Sequence, residues 1–112
     1  MDILEVIKQQ VESNPVIIYM KGSPQMPMCG FSSRAAQALQ ASGEPFAYVN
    51  VLENPEIFQN LPRFANFPTF PQIYIDGELI GGSDIALEML QSGELQEAMK
   101  AANGKSGQEQ SA

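Results

Sequence analysis

Ile3, Leu4, Val6, Ile7 and Val11 recur near the spacing of one helix face, with polar residues between them. The pattern predicts an amphipathic helix over residues 2–12, with Asp2 placed where a capping or dipole-complementing acid is favourable. Ser13-Asn14-Pro15 interrupts it, and the unbroken run "VIIYM" over residues 16–20 then reads as a strand covered on both faces. A loop carrying Gly22, Pro24 and Pro27 follows. Ser32 or Ser33 opens the next predicted helix, through "RAAQALQAS", with Gly43 as its stop. Cys29 is thereby placed just ahead of a helix N-terminus.

The second half alternates in the same way. "FAYVNV" predicts a strand, "PEIFQNLPRFA" a short helix begun by Asn54-Pro55, and "QIYIDGELIGG" a hairpin turning at Asp76-Gly77. Ser83-Asp84 then read as the cap of a helix "IALEMLQSG", and "ELQEAMKAA" gives the last helix after Gly93. The order α-β-α-β-α-β-β-α-α contains one parallel crossover followed by a hairpin. It predicts an α/β domain over residues 1–102, a four-stranded mixed sheet flanked by helices on both faces. Residues 103–112, "NGKSGQEQSA", carry no apolar side chain before the final alanine and are expected to form a flexible polar tail.

Composition narrows the chemistry. At 112 residues and 44% hydrophobic, the chain can bury one ordinary core without staples. Six basic against thirteen acidic residues give a net charge of −7, which repels nucleic acid and anionic membranes in the absence of a basic patch. No apolar run approaches the roughly 20 residues a bilayer demands, and the N-terminal "MDILEVIKQQ" lacks the basic-then-apolar form of a leader. One cysteine cannot close a disulfide within the chain. A soluble protein of the reducing cytoplasm is expected. With no histidine there is no Ser-His-Asp or Cys-His nucleophile and no HExxH zinc site. A single chain also cannot supply a four-cysteine zinc or iron–sulfur site.

Attention therefore falls on Cys29-Gly30-Phe31-Ser32, a C-x-x-C redox motif whose second sulfur is replaced by a hydroxyl. The unpaired N–H groups and positive dipole end of the following helix favour thiolate over thiol, and Lys21 is the nearest cation able to reinforce them. The expected thiol pKa lies below the ordinary value of about 8.5. The competing reading, a small core hydrophobe, fits poorly with a glycine- and proline-rich surface turn.

"MKGSPQMPMCGFS", "NFPTFPQIYIDGELIGG" and "GGSD", taken together, resemble the monothiol or CGFS-type glutaredoxins over about Asn14 to Leu95. The resemblance implies a thioredoxin-like fold and a cis Phe70-Pro71 bond facing the active site. It also implies glutathione binding. Lys21 would pair with the glycyl carboxylate, and the backbone of Phe70, beside Thr69 and Pro71, would bond the cysteinyl part like a short added strand. Gly82, Ser83 and Asp84 would hold the γ-glutamyl end, the Asp84 carboxylate taking its ammonium. Phe31 borders this site, and Cys29 would sit opposite the glutathione sulfur. Singly, Lys21 also reads as a solvated strand-end charge and Asp84 as a helix cap; their order with Cys29 and "TFP" favours the ligand reading. Arg63 is either an aid to the glycyl carboxylate or an ordinary exposed arginine. The chain departs from many members in three places: Phe58 or Gln59 where several have arginine or glutamine, Phe67 for tryptophan, and Ser83 for a second cysteine.

Two functions compete. As a carrier, Cys29 would ligate a [2Fe–2S] cluster; four thiolates are needed, a homodimer supplies two and two glutathiones the rest. As an enzyme, Cys29 would act as a glutathione-dependent oxidoreductase on mixed disulfides, with no resolving cysteine. The resemblance implies that the long loop Gly22–Met28 disfavours disulfide exchange, which ranks cluster assembly, storage and transfer to apo iron–sulfur proteins first. It implies also a heterodimer with a BolA-type protein, whose histidine can replace a sulfur ligand. Copper(I) binding by Met20, Met26 and Met28 is the weaker reading of those methionines, which commonly serve as loop packing.

Overall fold

The computed structural model describes residues 2–111, with side-chain surroundings through Lys105. In chain order it contains α1 (Ile3–Ser13), β1 (Val16–Met20), α2 (Gly30–Ala41), β2 (Ala47–Asn50), a 3₁₀ turn (Val51–Glu53), α3 (Pro55–Phe64), β3 (Gln72–Ile75), β4 (Glu78–Gly81), α4 (Ser83–Ser92) and α5 (Glu94–Ser111). The sheet order is β2-β1-β3-β4, with β1 parallel to β2 and antiparallel to β3, and β3 antiparallel to β4. The mixed sheet expected from the alternation is present.

Every residue of β1 is buried, as its unbroken apolar run requires of a central strand. Alternate residues face opposite layers. Val16, Ile18 and Met20 join Ala35, Leu39 and Ala86 on the side of α2 and α4, while Ile17 and Tyr19 join Ile7, Val11, Ile57 and Leu61 on the side of α1 and α3. The β3–β4 turn has Asp76 and Gly77 both at positive φ (54° and 82°), the geometry that a two-residue hairpin favours.

Four local expectations are corrected. Residue Cys29 itself, not Ser32 or Ser33, is the N-cap of α2. Gly82 is the N-cap of α4, so Ser83 and Asp84 occupy its first turn. The "FAYVNV" strand ends at Asn50, whose Oδ1 accepts the Leu52 N–H at 3.0 Å and starts the 3₁₀ turn instead. At the C-terminal end, α5 does not stop at Ala102. Asn103 Nδ2 donates to the Pro45 carbonyl at 3.0 Å and Lys105 Nζ to Asp76 Oδ2 at 2.8 Å, so polar residues there find tertiary partners that composition does not reveal. The last tail residue, Ala112, and the side chains from residue 106 onward lie outside the described residues. No helix among the described residues is long and apolar enough to cross a membrane.

Candidate functional site around Cys29

The loop from Lys21 to Met28 is tied to itself. The Met28 N–H donates to the Lys21 carbonyl at 2.9 Å, and Ser23 and Met26 exchange backbone hydrogen bonds at 3.2 and 3.1 Å. Gly22 makes this possible: its φ is +92°, and a Cβ there would collide with the Met26 carbonyl and the Met28 nitrogen. Its N–H is held by Asn50 Oδ1 at 2.9 Å, which anchors the loop to the end of β2. The loop therefore delivers Cys29 to the start of α2 in a defined place.

Cys29 is half-buried, and its pKa lies below the ordinary thiol value. The largest cause is the backbone N–H of Ser32; partial burial works against it, while the Phe31 N–H, the Lys21 charge and the Ser32 hydroxyl add to it. Ser32 is fully buried, and its Oγ accepts the Lys21 N–H at 3.0 Å. The side chain that stands in for a second thiol thus fastens the end of β1 to the first turn of α2. This role is neither of the two that the sequence suggests.

A cleft of about 790 Å³ opens beside the sulfur. Lys21, Cys29 and Phe31 form one wall, Phe67–Pro71 the second, and Gly81–Ile85 the third, with Ile80, Phe58 and Pro62 completing the lining. The Phe70-Pro71 bond is cis, as the resemblance implies. The Phe58 and Phe70 rings lie 5.2 Å apart, and the Lys21 ammonium sits 5.8 Å from the Phe58 ring centre. Phe58 thereby gives the cation an aromatic support. The cleft lining holds one cation, Lys21, and one carboxylate, Asp84, on separate walls.

Of the residues singled out from sequence, Lys21, Cys29, Phe31, Thr69, Phe70, Pro71, Gly82, Ser83 and Asp84 all line this cleft. Arg63 does not: it is exposed on α3, where its Nε donates to Asn60 Oδ1 at 3.1 Å. The apolar members Phe58, Pro62, Phe67, Pro68, Ile80 and Ile85 are not among the binding residues read from sequence. Phe67 and Pro68 carried a signal through their place beside "TFP", and Phe58 as a position where the chain departs from many relatives. On the loop ahead of Cys29 and in the first turn of α2, Met26, Met28 and Phe31 remain 72%, 66% and 54% exposed, apolar side chains close to the thiol in sequence, with the Arg34 guanidinium 4.9 Å over the Phe31 ring.

Among known proteins, a family model for glutaredoxin matches residues 16–80. The chain is 58% identical to glutaredoxin 4 of Escherichia coli K12 over 97 residues, which cover 87% of this chain and 84% of that one. Its identity with glutaredoxin 4 of Buchnera aphidicola is 61% over 95 residues, 85% and 88% of the two chains. The solution structure of reduced poplar apo GrxS14 superposes with a TM-score of 0.75 at 44% identity, covering 89% of this chain and 92% of that one. The thioredoxin-like sheet, the cis-proline wall and the lone thiol agree with these likenesses: the chain belongs to the glutaredoxin family, in its single-domain, monothiol form.

Proposed function

We propose that this glutaredoxin binds glutathione in the cleft and carries a [2Fe–2S] cluster as cargo between two subunits, for delivery to apo iron–sulfur proteins in the cytoplasm. The observation that carries the reading is the single, partly exposed, thiolate-favouring Cys29 in a cleft with Lys21 and Asp84 on separate walls. Glutathione presents two carboxylates, one ammonium and a thiol. Lys21 pairs with the glycyl carboxylate, and the Phe70 backbone beside Thr69 and Pro71 bonds the cysteinyl unit. The Gly82–Ser83–Asp84 turn offers N–H groups to the γ-glutamyl carboxylate, and Asp84 takes the ammonium. Phe31 and Phe58 supply apolar walls, and Arg63, away from the cleft, takes no part.

The proposed stoichiometry follows from ligand counting. Among the described residues no three histidine, cysteine or carboxylate side chains gather where they could hold a metal ion. A [2Fe–2S] unit takes four thiolates, so one Cys29 from each of two subunits and one glutathione sulfur per subunit complete it. The exposed Met26, Met28 and Phe31 give each copy apolar side chains on the segment that carries Cys29, which the second must approach. A BolA-type protein contributing a histidine is the alternative partner.

The half-exposed thiolate also favours a second reading, reduction of glutathione mixed disulfides. The Cys29 sulfur attacks the glutathione sulfur of R–S–SG, expelling RS⁻; a second glutathione thiolate then attacks the Cys29 adduct, releasing oxidised glutathione and the Cys29 thiolate. Anaerobic reconstitution with iron, cysteine and a cysteine desulfurase, with and without glutathione, separates the two. Visible absorption and a dimer on size exclusion that both require glutathione and disappear in Cys29→Ser are expected. No cluster under any condition, with turnover of a glutathione mixed disulfide, would overturn the carrier reading in favour of the reductase.

A further inference from the structure

Gln72 opens β3 as a polar side chain with no solvent exposure. Burying an amide is costly unless its groups are paired, and here the pairs point in a specific direction. Its Nε2 donates to the Phe67 carbonyl at 2.9 Å and to the Thr69 carbonyl at 3.3 Å, two acceptors in the second wall of the cleft. Its Oε1 accepts the Tyr74 hydroxyl at 2.7 Å. Residues 72 and 74 share a strand face, and the Tyr74 ring is held between Tyr19 at 5.7 Å and Phe64 at 6.1 Å. A flipped amide would set its oxygen against two carbonyl oxygens, so the network admits one orientation.

The wall needs such support. Pro68 and Pro71 have no N–H, which removes two of the five backbone donors from residues 67–71. The Phe67 N–H bonds the Pro62 carbonyl at 2.9 Å and ties one end of the segment to α3. Gln72 ties it from the other side, inside the core.

We propose that Gln72 is a positioning residue for the ligand: through the Phe67 and Thr69 carbonyls it sets the segment ahead of Pro71, so that the Phe70 backbone meets a peptide-like thiol, and Tyr74 orients the amide. The inference rests on glutathione binding in the cleft. Two variants and their combination test it: Gln72→Met, which keeps length and removes the donors, and Tyr74→Phe. For each, the readouts are glutathione affinity by NMR titration, the Cys29 pKa from alkylation rate against pH, and exchange of the Gln72 side-chain amide protons where they remain. Gln72→Met is expected to raise the glutathione Kd about tenfold and Tyr74→Phe about threefold, the double variant matching Gln72→Met, with the Cys29 pKa unchanged throughout. Gln72 amide exchange should be slow in the wild type and faster in Tyr74→Phe.

A folded Gln72→Met whose Kd stays within about twofold of wild type overturns the proposal, as does a Tyr74→Phe effect that persists fully in the Gln72→Met background. If Gln72→Met fails to fold, Tyr74→Phe decides alone: unchanged amide exchange and unchanged affinity overturn the relay. Failure of the ligand reading is distinct, because there the wild type itself shows no saturable glutathione shift, and the inference falls with it.

Discussion

On the side of the sheet that faces α2 and α4, Val16, Ile18, Met20, Ile73 and Ile75 meet Ala35, Ala36, Ala38, Leu39 and Ala86. On the opposite side, Tyr19 and Tyr74 stand among Ile7, Val11, Ile57 and Leu61, the Tyr19 hydroxyl bonding Gln10 Oε1 at 2.9 Å and the Tyr74 hydroxyl bonding Gln72. The first face is aliphatic and non-directional; alanines let the helices approach, and burial alone stabilises them. The second carries directional bonds that end on the carbonyls of the cleft wall. Burial pushes the Tyr74 phenol up to about 12, so it stays a neutral donor well into the alkaline range. The difference teaches that the cleft draws on both layers in different ways: the walls on α2 and α4 rest on aliphatic packing, and the Phe67–Pro71 wall is held by directional bonds from the other face.

Leu39→Ala, at a fully buried position of the aliphatic face, should cost about 3 kcal/mol by denaturant titration while the folded fraction binds glutathione within about twofold of wild type. An affinity loss as large as the stability loss would show that the two faces act together. Ser32→Ala tests the junction between layers. It leaves the Lys21 N–H without its acceptor, and a stability loss of about 1–2 kcal/mol with a raised Cys29 pKa is expected. Calorimetry and alkylation kinetics read the two effects.

A smaller effect follows from the thiol itself. Because the folded chain holds the Cys29 proton less tightly than the unfolded chain, unfolded molecules bind more protons in the window between the two pKa values. The wild type should therefore gain stability over Cys29→Ser as pH rises through the folded pKa, reach its full advantage above the ordinary thiol value of about 8.5, and lose it as pH falls. Melting curves of both proteins across that range check the sign. Smallest of all is Lys105→Ala, which removes a solvent-exposed pair with Asp76; the melting temperature should stay within about 2 °C.

Much of this molecule was legible in its residue pattern because the responsible forces are local. An unbroken β-branched run marks a central strand, Asp76-Gly77 a tight hairpin, and a glycine- and proline-rich loop before a helix a thiol that is not packed in the core. The cleft's polar members were also readable, through their motifs. What stayed hidden depends on contacts between distant segments. Gln72 looks like any polar residue beginning a strand until the wall folds over it, and Ser32 looks like a cap until β1 arrives at its hydroxyl. Arg63 resembled a ligand residue by charge and proximity in sequence, but the pitch of α3 leaves it exposed and off the cleft. The end of α5 is the same lesson: Asn103 finds the Pro45 carbonyl only in three dimensions.

The most direct test of the account is a backbone NMR titration of the reduced wild-type protein with glutathione. Saturable shifts are expected on three separated segments at once, at Lys21 and Phe31, at Thr69–Phe70, and at Gly82–Asp84, fitting one Kd. Shifts confined to one of these segments, or centred on the exposed Tyr48 and Leu52 away from the cleft, would contradict it.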